Sequence, residues 1–326
     1  AERQEYFVYQ PPSRDKNALR FDAATRHIQD VGSDHLRELG FEETHPLWIV
    51  RRTMIDLIKP IEFQDMLRLR RWCSGTSNRW CEMRVRIDGR KGGLMESEAF
   101  WININRETQG PARIADDFLE GLQRTTTVDR LRWKAYLKAG SREDATQIRD
   151  YPVRVSDIDI FDHMNNSVYW SVIEDYVLSN PELLHEPIRV TIEHDAPVAL
   201  GDKLEIISHV HPAGSTEQFG PELADRTVTT LTYAVGDETK AVAAHLGGPV
   251  GSLEVLDSTL SDNYSSEAGS ALNNNRGGTL TVVDSVVASK ALRVSVAQAR
   301  KLNAGGSAPL VLGVPAAVVL LVVLAA

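Results

Sequence analysis

Apolar side chains recur at helical spacing in two places along the first 180 residues. Ala24, Ile28, Val31 and Leu39 share a face of a predicted helix over Ala23–Leu39, and Val168, Val172, Ile173, Tyr176 and Val177 share a face of another over about Asn166–Leu178. After each, the period shortens to two. Leu67–Arg70 and Met83–Ile87 alternate apolar residues with Arg, Asp88-Gly89 signals a turn, and Glu98–Asn103 continues as strand. Behind the second helix, Ile188–His194, Lys203–His209, Thr227–Ala234 and Lys240–His245 play the same parts. A short strand is expected before each helix.

The two stretches read as copies. A gapless shift of 137 positions sets Asp22 against Asp159, Arg52 against Arg189, Ile55 against Ile192, Pro60 against Pro197, Asp65 against Asp202 and Leu67 against Leu204. Self-similarity at a fixed offset signals a repeated structural unit. One long helix followed by antiparallel strands, twice over, is an α+β architecture in which each sheet wraps its helix, a tandem (double) hotdog. The expected organisation is a first hotdog over 5–115, a charged linker with a helix over 116–149, and a second hotdog over 150–250.

Composition changes near Gly251. Every Trp, Phe, Cys, Met and His precedes it, and the acids and bases after it balance, so the net charge of −9 belongs to residues 1–250. Without those side chains, 251–307 is expected to be mostly flexible, with some local helix or strand allowed for. Ala308–Ala326 carries no charge and nears the ~20 apolar residues of a membrane span. Gly313 and Pro315 interrupt it, so an extension is expected in preference to an anchor. The acidic balance argues against nucleic-acid binding. Two cysteines, Cys73 and Cys81, with no metal-type cluster around them, exclude a disulfide framework and a zinc ribbon. With a charged N-terminal stretch in place of a signal peptide, this points to a cytoplasmic protein with reduced thiols. His209 and His211 share a strand face without a third ligand, and no glycine-rich phosphate loop occurs, so neither metal nor cofactor is expected.

The segment Asp157-Ile158-Asp159-Ile160-Phe161-Asp162-His163-Met164-Asn165-Asn166-Ser167-Val168-Tyr169-Trp170 resembles the hotdog thioesterase signature, an acidic loop meeting His-x-Asn-Asn-x-x-Tyr at a helix start. With Trp48–Arg52, Trp80–Arg86 and Phe100–Asn105 ahead of Arg113-Ile114, about residues 5–250 resemble the plant and bacterial acyl-acyl-carrier-protein (acyl-ACP) thioesterases. The resemblance implies a double hotdog hydrolysing fatty acyl thioesters of acyl carrier protein, with catalysis in the second copy and much of the acyl pocket in the first. A homodimer is allowed for.

Thioester hydrolysis needs a site for the oxyanion, a carboxylate or base to attack or to activate water, and an apolar slot. Open N–H groups and the dipole of a helix N-terminus near Asn165 and Asn166 meet the first need. Asp159 is the expected carboxylate, as nucleophile or as holder of the water. His163 would orient substrate or relay a proton. Helix capping is the competing role for Asn165 and Asn166. At the 137 offset His163 faces Arg26 and Asn165 faces Ile28, so one active site per chain is expected. Plant members carry an Asn where this chain has Phe161, here assigned to substrate binding, and a Cys on the strand region after the helix, where Thr191–Leu204 has none. A cysteine nucleophile is thereby excluded. Glu193 is the remaining second carboxylate, and whether Asp159, Glu193 or both hold the water stays open.

Between Arg51 and Lys91 eleven bases face five acids. A basic face of this kind would steer an acidic carrier protein. An acyl-CoA thioesterase and an acyl-binding hotdog without turnover are the rival functions.

Overall fold

The computed structural model describes residues 2–7, 18–180, 188–216 and 227–246, and the short strands 252–256, 259–261, 279–283, 286–288 and 293–295. The chain divides into two compact units, Ala1–Pro249 and Val250–Ala326.

In the first unit the elements run β1 (Glu2–Phe7), α1 (Phe21–Glu38), β2 (Trp48–Lys59), β3 (Met66–Thr76), β4 (Trp80–Gly89), β5 (Leu94–Asn103), α2 (Asp116–Gln123), β6 (Gln147–Pro152), α3 (Asn166–Ser179), β7 (Ile188–His194), β8 (Lys203–His211), β9 (Val228–Val235) and β10 (Glu238–Leu246). Ten strands form one antiparallel sheet in the order β1-β3-β4-β5-β2-β7-β10-β9-β8-β6. Both helices pack on one face of it. Ala24, Ile28 and Val31 of α1 and Val168, Trp170, Val172, Ile173 and Val177 of α3 share a core with Ile55, Leu67, Val85, Met95, Val190, Ile192, Leu204 and Leu231. Each large apolar side chain buried there contributes roughly 1.5–3 kcal/mol. Leu39, expected on the buried face of α1, is instead its C-cap and is 40% exposed, because the helix ends one residue before it.

The copies meet where β2 pairs with β7, and there Met54 lies opposite Thr191. Those two residues are themselves 137 positions apart, so a pseudo-two-fold axis passes through their pair. The strand offset is visible again in the turns that enter β3 and β8. Asp65 N–H donates to the Glu62 carbonyl and Asp202 N–H to the Ala199 carbonyl, both at 3.2 Å, with Gln64 at φ 60° and Gly201 at φ 91° in matching places. The second copy places glycine at that left-handed position, where a side chain is strained; the first accepts Gln64.

The helices do not keep the strand offset. Ala18 bridges Glu62 in one copy and His163 bridges Ala199 in the other. Likewise Leu19 N–H donates to Ile61 O and Met164 N–H to Val198 O, each at 2.7 Å. The strand partners are 137 apart, whereas the residues entering the helices are 145 apart. The gapless alignment of Asp22 with Asp159 is therefore corrected: Asp22 corresponds to Ser167, His163 to Ala18 and Asn165 to Arg20. Part of the eight-residue difference lies in the helices, since α1 has 18 residues and α3 has 14.

The linker is mostly not helical. After α2 it runs without regular structure across the sheet face opposite the helices, and its last residues belong to β6. Thr76 N–H donates to Val128 O at 2.8 Å, and the Trp133 ring packs at a tilt against Phe100 with ring centroids 5.0 Å apart. Further along, Leu137 packs on Val228 and Ala244, and Thr146 N–H reaches Ser208 O at 2.8 Å. A Cβ at Gly140 would overlap the His209 ring, so only glycine lets this strap lie so close.

In the second unit β11 (Ser252–Leu256) pairs in parallel with β13 (Thr279–Val283). There too, β14 (Val286–Ala288) pairs with β12 (Thr259–Ser261) and β15 (Arg293–Ser295). The apolar run 308–326 lies outside the described residues, among which no helix is long and apolar enough to cross a membrane.

Candidate active site

The loop before α3 is a tight, self-bonded turn. Asp159 N–H donates to the His163 carbonyl at 2.8 Å and Asp162 N–H to the Asp159 carbonyl at 3.1 Å, with Asp162 at φ 61°. Asp159 Oδ1 accepts from Phe161 N–H at 2.9 Å and from His163 N–H at 3.5 Å. Asp159 Oδ2 has no hydrogen-bond partner among the described residues. The loop is tied to the helix start by Asn165 N–H to the Asp157 carbonyl at 2.8 Å and by a bridge between Ile158 and Met164.

Asn165 is the N-cap of α3. Its Oδ1 accepts from Ser167 N–H at 2.9 Å and from Ser167 Oγ at 2.8 Å, and its carbonyl accepts from Val168 N–H. The Asn166 N–H has no partner among the described residues and remains open at the positive end of the helix dipole. His163 is exposed. Phe161 is 52% exposed and Ile160 90%, with Leu200 of the neighbouring loop at 54%. Phe161 therefore sits on an apolar rim; it does not line a buried slot.

Behind this loop, the Tyr169 hydroxyl is pushed well above the usual tyrosine range, chiefly by burial, with a hydrogen bond from the Val198 backbone opposing and the Asp159 and Asp202 charges adding. Those charges place the hydroxyl in the same electrostatic neighbourhood as Asp159. Tyr233 donates to the Tyr169 carbonyl at 2.7 Å.

Glu193 is not brought to Asp159. Strand alternation turns it to the strap face, away from Ile188, Val190 and Ile192, which pack under the helices. There, 4% exposed, it accepts from Arg52 Nη1 at 3.1 Å, from Tyr136 N–H at 3.0 Å and from Leu137 N–H at 2.9 Å. Arg52 also donates to the Lys134 carbonyl at 3.0 Å and lies 4.1 Å from the Tyr136 ring centroid. Glu193 anchors the strap, and its lone pairs are committed to that task.

The basic patch is also altered by strand pairing. Arg70 bonds Asp88 at 2.7 Å, Arg84 bonds Glu98 at 2.6 Å, and Arg86 meets Asp88 at 2.9 Å and Glu96 at 3.2 Å. Acids on β4 and β5 thus interleave with the bases, and Glu96 and Glu98 fall outside the stretch where the bases were counted. His209 and His211 use their Nε2 atoms on the Ser141 carbonyl at 2.7 Å and on Thr230 Oγ1 at 3.0 Å.

Residues 3–122 match the model of the acyl-ACP thioesterase N-terminal domain, and residues 140–245 that of the C-terminal domain. The chain belongs to the acyl-ACP thioesterase family. This family hydrolyses fatty acyl thioesters of acyl carrier protein, so the protein is a thioester hydrolase. An uncharacterized protein of Mycobacterium tuberculosis H37Rv, Rv2001, is 37% identical over 225 residues, 69% of this chain and 83% of that protein. Among solved structures, an acyl-ACP thioesterase from Bacteroides thetaiotaomicron superposes with a TM-score of 0.58 at 15% identity, covering 75% of this chain and 96% of that one. The 12:0-ACP thioesterase from Umbellularia californica gives 0.56 at 17%, covering 74% and 95%. At such identities the likeness is one of fold, the double hotdog.

Proposed function

We propose that hydrolysis takes place at the start of α3, with Asp159 as the base that holds the attacking water. The observation that supports this is the state of its carboxylate: Oδ1 is fixed by two loop N–H groups, while Oδ2 is free among the described residues beside the open end of the helix. Water attacks the thioester carbonyl as Asp159 takes its proton. The oxyanion is stabilised by the Asn166 N–H and the helix dipole. The C–S bond then breaks, and the proton passes to the leaving thiolate, with exposed His163 as the relay. Asn165 holds the helix start in place, and Phe161 with Ile160 offers apolar contact to the acyl chain near the entrance. Glu193 supports the site at a distance, through the strap. The two buried, unpaired thiols fit a reducing, cytoplasmic setting.

The test is thiol release from a panel of acyl-carrier-protein and acyl-CoA thioesters of varied chain length. Turnover of the carrier-protein series is expected, and its absence across the panel sinks the proposal. Single turnover in heavy-oxygen water should label the fatty acid and leave Asp159 unlabelled; label in Asp159 would make it a nucleophile.

A further inference from the structure

His194 ends β7 on the face turned towards the helices, one residue past Glu193 and on the opposite side of the strand. Its ring meets that of Tyr169 edge to face, with centroids 4.8 Å apart and planes at 89°. Tyr169 lies in the first turns of α3, three residues after Asn166, and its hydroxyl is in the field of Asp159. The imidazole is thus part of the wall behind the helix start.

That wall holds an unsatisfied group. His194 is 9% exposed, and its Nε2 is buried without a hydrogen-bond partner. Leaving a buried polar atom unpaired costs about 1–3 kcal/mol, so native proteins keep few of them. Other such atoms stand elsewhere, among them Arg70 Nε on β3 and Ser97 Oγ on β5 in the first copy, and His209 Nδ1 under the strap, whose ring is held through its other nitrogen. Of these atoms, the one on His194 borders the helix end where the thioester is read to react. Burial, with the Arg51 charge adding, lowers its pKa to about 4. At neutral pH the ring is uncharged and can hydrogen-bond without delivering a proton.

We propose that His194 contributes to the reaction from β7, its Nε2 hydrogen-bonding the thioester end of the acyl substrate. No proton passes through it: the water's proton still goes by way of Asp159 to the departing thiolate. The inference rests on the placement of hydrolysis at α3 and extends the site across to the neighbouring strand.

The test compares His194→Phe, which keeps an aromatic ring against Tyr169 and loses the nitrogen, with His194→Gln, whose amide reaches towards the Nε2 position. On an acyl-carrier-protein substrate, His194→Phe should lower kcat on the order of 100-fold, the scale of one lost polar contact to a developing charge. Its melting temperature should stay within a few degrees of wild type. His194→Gln should recover much of the kcat. Wild-type kcat in His194→Phe, or equal losses in both folded variants, overturns the proposal. If His194→Phe does not fold, His194→Leu takes its place in the same comparison. Wild-type protein that hydrolyses no thioester would instead overturn the reading of the site itself.

Discussion

The N-termini of α1 and α3 occupy equivalent places in the repeat, yet they meet different partners. At α1 the first N–H, from Phe21, donates to Glu174 Oε2 of α3 at 3.1 Å, and the Phe21 ring lies 5.9 Å from that of Trp170. Arg20 takes the N-cap position without capping through its side chain, and binds Asp22 in a two-pronged ion pair at 2.7–2.8 Å. At α3 the cap is Asn165, and the corresponding N–H, from Asn166, is open. One helix end is closed by packing against its twin, and the other is open among the described residues. A duplicated fold that carries one active site need not lose stability with the second, because the vacated helix end can become an interface.

The largest difference between the two ends should appear in turnover. Asp159→Asn keeps the side chain's shape and removes the proposed base, so kcat should fall by 10² or more while thermal melting hardly moves. Asp22→Asn should do the reverse. It breaks a partly buried charge pair and should cost about 1–3 kcal/mol in urea unfolding, with kcat within a few-fold of wild type. Equal loss of kcat in both variants would show that the first copy takes part in chemistry.

The caps should differ less, and still measurably. Asn165→Ala should cost about 1 kcal/mol and lower kcat as the helix start loosens, whereas Arg20→Ala should leave kcat near wild type. Steady-state kinetics beside denaturant titration separates the two.

Glu174 gives the comparison a pH dependence. Burial, with the Asp22 charge adding, pushes its carboxyl from 4.5 up to about 7, against the pull of the Phe21 N–H and Arg20. Between those values the folded chain holds a proton that the unfolded chain has lost, so its contribution to stability declines as pH rises through that window and levels off above it. Glu174→Gln should remove this slope and raise the melting temperature at pH 8 by a few degrees. An unchanged melting curve across pH 5–8 would mean that the α1 end is not closed by this carboxylate.

The smallest effect is expected on the outer face of the first copy. Reversing Arg84 and Arg86 should cost no more than about 1 kcal/mol per pair, and should change carrier-protein and CoA substrates alike, because both residues are matched by Glu98, Asp88 and Glu96. A rise in KM confined to the carrier protein would restore a steering role to this face.

The sequence alone determined the elements and the repeat. Helical and strand periods depend on which face of each element is buried, and that pattern is local, so α1, α3 and the strands of the first unit other than β2 stand near where the apolar spacing put them. The acidic loop and His-x-Asn-Asn were legible for the same reason, lying in one short segment whose geometry is set by its own turn. Tertiary structure decided what depended on distant partners. Whether Glu193 or His194 faces the helices follows from the side of β7 that the strap covers, and the register of the two copies follows from bridges such as His163 to Ala199. The basic residues of β3 and β4 lost their excess charge because pairing sets acids of β4 and β5 beside them, and the α1 end was closed by Glu174, 153 residues away in sequence. Such contacts are made across the chain by packing, and no pattern within either segment records them.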